Sequence, residues 1–120
     1  MNSQTKLPLG KVPISVLKKI LGYVDSDESV LVSPGVGIDA AVVCADDNVI
    51  VSACDPITGA SKEIGWLSVH VNANDIAVCA ARPRWYIVTL LFPENAAEED
   101  IYETMSGIRQ GLRAVSYTHL

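Results

Sequence analysis

Apolar residues recur at Val12, Val16, Ile20 and Val24, close to a helical repeat, and Pro13 stands where a first turn tolerates a missing N–H. A helix is therefore predicted over residues 11–23, weakened at its end by Gly22. The polar link Asp25-Ser26-Asp27-Glu28-Ser29 leads to a short extended piece at 30–32, and Ser33-Pro34-Gly35-Val36-Gly37 then interrupts regular structure. Residues 40–45 and 49–54 are rich in Val and Ile. The Asp46-Asp47-Asn48 segment between them reads as the turn of an antiparallel hairpin, which makes Asp46 and Asp47 turn residues rather than ligands. From 56 to 63 there is no apolar period, and a mobile loop is expected.

Residues 64–81 carry Ile64, Leu67, Val71, Ile76, Val78 and several alanines around nearly the whole circumference of a helix, so a helix packed on more than one side is predicted. Ala73, Ala77, Ala80 and Ala81 favour close packing, Val69 and Val71 leave a strand as the alternative, and Arg82-Pro83 ends the element. Residues 85–92, dense in aromatic and β-branched side chains and stopped by Pro93, predict a strand. A last helix follows the acidic run 94–100. It sets Ile101, Met105, Ile108, Leu112 and Val115 on one face and leaves Glu98, Glu99, Glu103 and Arg109 to solvent. The order helix, strand, strand, helix, strand, helix describes an α+β fold, a mainly antiparallel sheet with helices on one face.

A chain of 120 residues, 49% hydrophobic, can build one domain and one core. Its net charge of -5 excludes a broad nucleic-acid interface or an anionic membrane surface as partner, because both need a basic face. The opening residues 1–6 lack the apolar core of a signal peptide, and the longest apolar run, 85–92, is too short to span a bilayer, so a cytoplasmic location is expected. Cys44, Cys54 and Cys79 are odd in number and widely spaced, which predicts three buried free thiols rather than a disulfide framework or zinc site.

Chemistry concentrates on Asp39, Asp55 and Asp75, each beside strongly apolar sequence. A carboxylate in such a setting costs several kcal/mol unless it is paired, hydrogen-bonded or bound to a cation. Asp39 precedes the first hairpin strand and Asp55 follows the second, so antiparallel pairing would bring them together, with Asp75 packing across the same end. Mg²⁺ takes oxygen ligands of this kind, together with waters and substrate phosphates. The plainer reading makes Asp39 and Asp55 loop-edge residues and Asp75 a satisfied buried acid. Gly35 and Gly37 offer backbone amides to a phosphate or merely form a turn, without Walker or Rossmann spacing. Asn74 is a candidate amide ligand, and Asn72 reads as a residue that only solvates the helix. His70 reads as a structural histidine, and Arg82 and Arg84 as a solvated helix terminus or as phosphate contacts.

Asn74-Asp75-Ile76-Ala77 followed by Ala81-Arg82-Pro83, with Gly37-Ile38-Asp39-Ala40-Ala41-Val42 upstream, resembles the N-terminal domain of the AIR synthase (PurM-like) superfamily over residues 35–115. The resemblance implies an ATP-binding domain whose Mg²⁺ ligands are Asp39, Asp55 and Asp75, with Asn74 beside them and Gly35 and Gly37 near the phosphates. It also implies a homodimer whose sheets join into a barrel. The chemistry implied is ATP-dependent phosphorylation or activation of an oxygen on a small-molecule or protein-bound substrate. The hydrogenase maturation factor branch is the nearest, with a thiamine-monophosphate kinase-like enzyme and a non-catalytic dimerisation module as alternatives. Ile38 replaces the first aspartate of the paired signature, and Ala80 the usual glycine before Ala81, where it is expected to crowd a close backbone approach. Residues 1–34 then form a helix and linker, 35–115 an incomplete domain, and 116–120 an atypical tail suggesting a truncated or non-native end, in which case the isolated chain is expected to be inactive.

Overall fold

Pro13 begins the first helix, α1 (Ile14–Leu21): its carbonyl accepts the N–H groups of Val16 and Leu17, both at 2.9 Å, and Gly22 closes the other end through its N–H to Lys19 O. The structure, a computed structural model, describes residues 9–59 and 62–115. Backbone contacts divide the chain into two units, Met1–Ile50 and Val51–Leu120.

The first unit leads from α1 through a turn fixed by Asp27. The Asp27 carboxylate accepts from the Ser29 hydroxyl at 2.5 Å and from the Ser29 N–H at 2.8 Å. These two bonds hold its carboxyl below the usual aspartate range. Strand β1 (Val30–Val32) follows and pairs antiparallel with β2 (Ala41–Ala45), with an irregularity in register between Val30 and Val32. Strand β3 (Asn48–Ser52), in which the division between units falls, completes a three-stranded sheet in the order β1-β2-β3. Asp46 and Asp47 alone make the hairpin turn. Asp46 takes a φ of 51°, a left-handed conformation that aspartate tolerates, and Asn48 already belongs to β3.

The second unit is built on α2 (Ile64–Val78) and α3 (Glu98–Ala114). The helix predicted over 64–81 ends three residues early, at Val78. There Ala80 turns left-handed with φ 57°, its N–H donates to Ala77 O at 2.9 Å, and the Ala81 N–H reaches back to Ile76 O at 3.4 Å. This is a Schellman stop, and its pivotal position favours glycine. Ala80 is exposed, and the cost at this position lies in its φ. Acidic residues do open α3: the Asp100 carboxylate accepts the Ala97 N–H at 2.8 Å.

The two helices meet through glycine. A Cβ on Gly65 would fall 2.1 Å from Thr104 O and 2.8 Å from Ile108 N, while one on Gly111 would meet Val69 Cβ at 2.9 Å. Val69 and Ile108 fill the crossing, 2% and 4% exposed. Close packing of α2 was expected from its alanines, but Ala77 and Ala80 are exposed and the approach depends on glycines.

Residues 85–92 correct the reading as a strand: no strand is assigned there. A strand is defined by its ladder, and none of the described residues forms one with this segment. Its alternation survives nonetheless, with Tyr86 and Leu90 half-buried and Ile87 and Leu91 95% and 91% exposed. The cysteines are free as expected, but all three are exposed rather than buried: Cys44 takes an outward position on β2, and Cys54 and Cys79 sit beyond element ends. The tail reading of 116–120, and positions 60 and 61 of the expected mobile loop, lie outside the described residues.

Candidate functional site

The glycines before Asp39 form a turn. The Ile38 N–H donates to Gly35 O at 3.3 Å, and Gly37 takes a φ of 77°, which the third position of a type II turn demands. Asp39 leaves this turn exposed, immediately before the buried Ala40 and strand β2. All of this belongs to the first unit.

In the second unit, Ser68, Asn72 and Asp75 stand at i, i+4 and i+7 along α2, which places them on one stripe of the helix. Asn72 does more than solvate this helix. Its Oδ1 accepts the Asp55 N–H at 2.8 Å, and its Nδ2 donates to Asp55 O at 3.0 Å and to Ser68 O at 2.8 Å. The Ser68 hydroxyl donates to Gly65 O and accepts from the Tyr86 hydroxyl, both at 2.8 Å. A line of polar contacts thus runs from residue 86 through α2 to the chain leaving β3. Asp55 itself is exposed, while Asp75, one turn beyond Asn72, is half-buried and Asn74 is exposed. The structure therefore ties Asp55 to the helix that carries Asp75. Asp39 has no part in that tie.

Among the described residues, no three His, Cys, Asp or Glu side chains gather closely enough to hold a metal ion by themselves. An all-protein cage of that kind is one that Mg²⁺ seldom uses. One or two carboxylates plus phosphate oxygens and waters is its common ligand set, and Asp55 and Asp75 fit it in number and type. The His70 ring is stacked on Trp66 with centroids 3.6 Å apart and Nδ1 2.9 Å from Trp66 O. Arg84 lies over the Trp85 ring at 4.8 Å. A groove of about 790 Å³ beside the start of α2, walled by Trp66, Phe92 and Glu103, includes none of Asp39, Asp55, Asn74 or Asp75. The contact that the sequence did not announce is the Asn72 link. Its signal was a polar stripe, Ser68-Asn72-Asp75, in an otherwise apolar helix.

The N-terminal domain of AIR synthase related proteins matches residues 37–119. Thiamine-monophosphate kinase of Archaeoglobus fulgidus is 30% identical over 93 residues, covering 71% of this chain and 31% of the kinase. The chain thus spans about a third of the length of that curated relative. No solved structure matches it. No helix among the described residues is long and apolar enough to cross a membrane.

Proposed function

Because the chain belongs to the AIR synthase related N-terminal domain family, we propose that it is the Mg²⁺-nucleotide-holding part of a cytoplasmic enzyme that uses ATP to phosphorylate a small-molecule oxygen. The observation that carries this reading is the tie between Asp55 and α2, the helix that presents Asp75 and Asn74. Asp55 and Asp75 hold the metal, together with waters and the phosphate oxygens of the nucleotide. Bound Mg²⁺ supplies neutralisation of charge on the phosphate oxygens. The protein's own share is alignment. Asp55 sits on a loop and is held by α2 through its main chain, so this helix sets where its carboxylate stands. A homodimer, its sheets joined edge to edge, completes the proposal.

The name of the matched relative favours the kinase. Ile38, where the resembling signature has a first aspartate, removes a possible ligand and weakens the kinase reading, and the second reading is activation of a carbamoyl or amide oxygen as in hydrogenase maturation. Mass spectrometry of the product separates them, since only the kinase leaves a phosphorylated small molecule. Binding is tested by calorimetry with ATP in the presence and absence of Mg²⁺. Replacing Asp75→Asn is expected to weaken Mg²⁺-dependent binding by roughly tenfold or more, about 1.4 kcal/mol. Unchanged affinity would reject the role of Asp75.

A further inference from the structure

We propose that Asn72 is a positioning residue, one that fixes the main chain of Asp55 against α2 so that its carboxylate is presented to a nucleotide-bound metal together with Asp75. This rests on the reading of Asp55 and Asp75 as metal ligands and adds to it a residue that touches neither metal nor phosphate.

Three observations carry it. First, the Asn72 carboxamide engages both the N–H and the C=O of a single residue, at 2.8 and 3.0 Å. Two strand residues facing each other in a hydrogen-bonded antiparallel pair exchange the same two bonds. Strand β3 ends at Ser52, and residues 53–59 carry no helix or strand, so the side chain supplies Asp55 with the pairing that a neighbouring strand would give. Second, the carboxamide is itself oriented. Its Nδ2 also donates to Ser68 O at 2.8 Å, and a flipped amide would lose that bond and set its NH₂ against the Asp55 N–H. Third, Asn72 and Asp75 are one turn apart on one helix, so holding Asp55 to Asn72 holds it beside the turn that carries Asp75. Without this hold, Asp55 would lie in unpaired chain and would have to be ordered at the moment the metal binds.

The probe is Mn²⁺ with a non-hydrolysable ATP analogue, its binding followed by electron paramagnetic resonance, with hydrogen exchange at the Asp55 amide measured on the same 120-residue chain. Asn72→Ala is expected to speed exchange at Asp55 at least tenfold and to weaken Mn²⁺-nucleotide binding by about tenfold, the lower end for losing a group that orients a metal ligand. Asn72→Gln, which keeps the amide but displaces it by one methylene, should recover part of both. Faster exchange at Asp55 with unchanged Mn²⁺-nucleotide affinity would overturn the positioning role while leaving the ligand assignment intact. If Asp55→Asn binds the probe as the unaltered chain does, the ligand assignment itself is wrong and the inference goes with it. Should Asn72→Ala lose its helical circular dichroism, the same two readouts on Asn72→Gln decide, with no change in affinity counting against the role.

Discussion

Ala80 is where one residue's conformational preference opposes the structure it serves. The position after the Cys79 cap must turn left-handed to end α2, and a side chain there meets the following carbonyl in a way that glycine does not. Ala80→Gly is therefore expected to stabilise the second unit by about 1 kcal/mol, partly offset by the extra freedom glycine has in the unfolded chain. Differential scanning calorimetry should record this as a rise in Tm of a few degrees, and a fall would show that the strain is relieved in some other way. Asp27 offers a second test at this scale. Its carboxyl lies below the usual aspartate range because Ser29 donates two hydrogen bonds to the ionised form, through its hydroxyl and its N–H. The support it gives its turn is thus complete above the ordinary aspartate pKa and is lost as pH falls through the lowered one. An NMR titration placing Asp27 at or above the ordinary value would contradict this. The kinds of residue that matter were readable in the sequence, but the bond partners were not. Asn72 and Asp55 are 17 positions apart, and nothing local to either announces the other.

Where α2 crosses α3, the ranking of glycines follows from what a methyl group would strike. At Gly65 it would meet backbone, Thr104 O at 2.1 Å, which moves only if a helix moves. At Gly111 it would meet the Val69 side chain at 2.9 Å, and at Gly107 the Trp66 N at 3.1 Å. Alanine gains up to about 1 kcal/mol of helix propensity over glycine. Overpacking costs roughly 1–3 kcal/mol or more, so at Gly65 the steric term wins. Gly65→Ala is expected to lower stability by about 2 kcal/mol in urea unfolding, with Gly111→Ala milder and Gly107→Ala near neutral. Equal effects at the three positions would mean that the helices do not cross as described. Amphipathic spacing made α3 legible as a helix, although Ile101 and Met105 of its expected apolar face are exposed, and alternation with turn residues made the hairpin legible. The contact face of α2 was hidden because its apolar residues surround the helix, and a glycine inside a helix looks like a defect until the partner that fills its place is known.

At the scale of the whole molecule, what matters is how much apolar surface finds cover. Among the described residues the buried hydrophobic side chains are Ala40, Val69 and Ile108, while Trp85, Ile87 and Leu91 stand exposed in a segment that carries neither helix nor strand. That segment was legible as strand-forming because alternation is written in its own residues. Its lack of a ladder was not, because pairing depends on a second strand that no property of residues 85–92 specifies. A strand-forming, apolar run without a ladder among the described residues is a template for adding another strand. The same segment of a second copy would supply one. The chain is accordingly expected to associate in sedimentation velocity at micromolar concentration. Ile87→Lys combined with Leu91→Lys should shift it toward monomer, since each lysine would have to surrender its hydration to enter an apolar contact. Neither residue packs at the α2–α3 crossing, so circular dichroism should retain the helical signal in the double variant. Association unchanged by both lysines would place the contact elsewhere on the molecule and remove residues 85–92 from the proposed dimer.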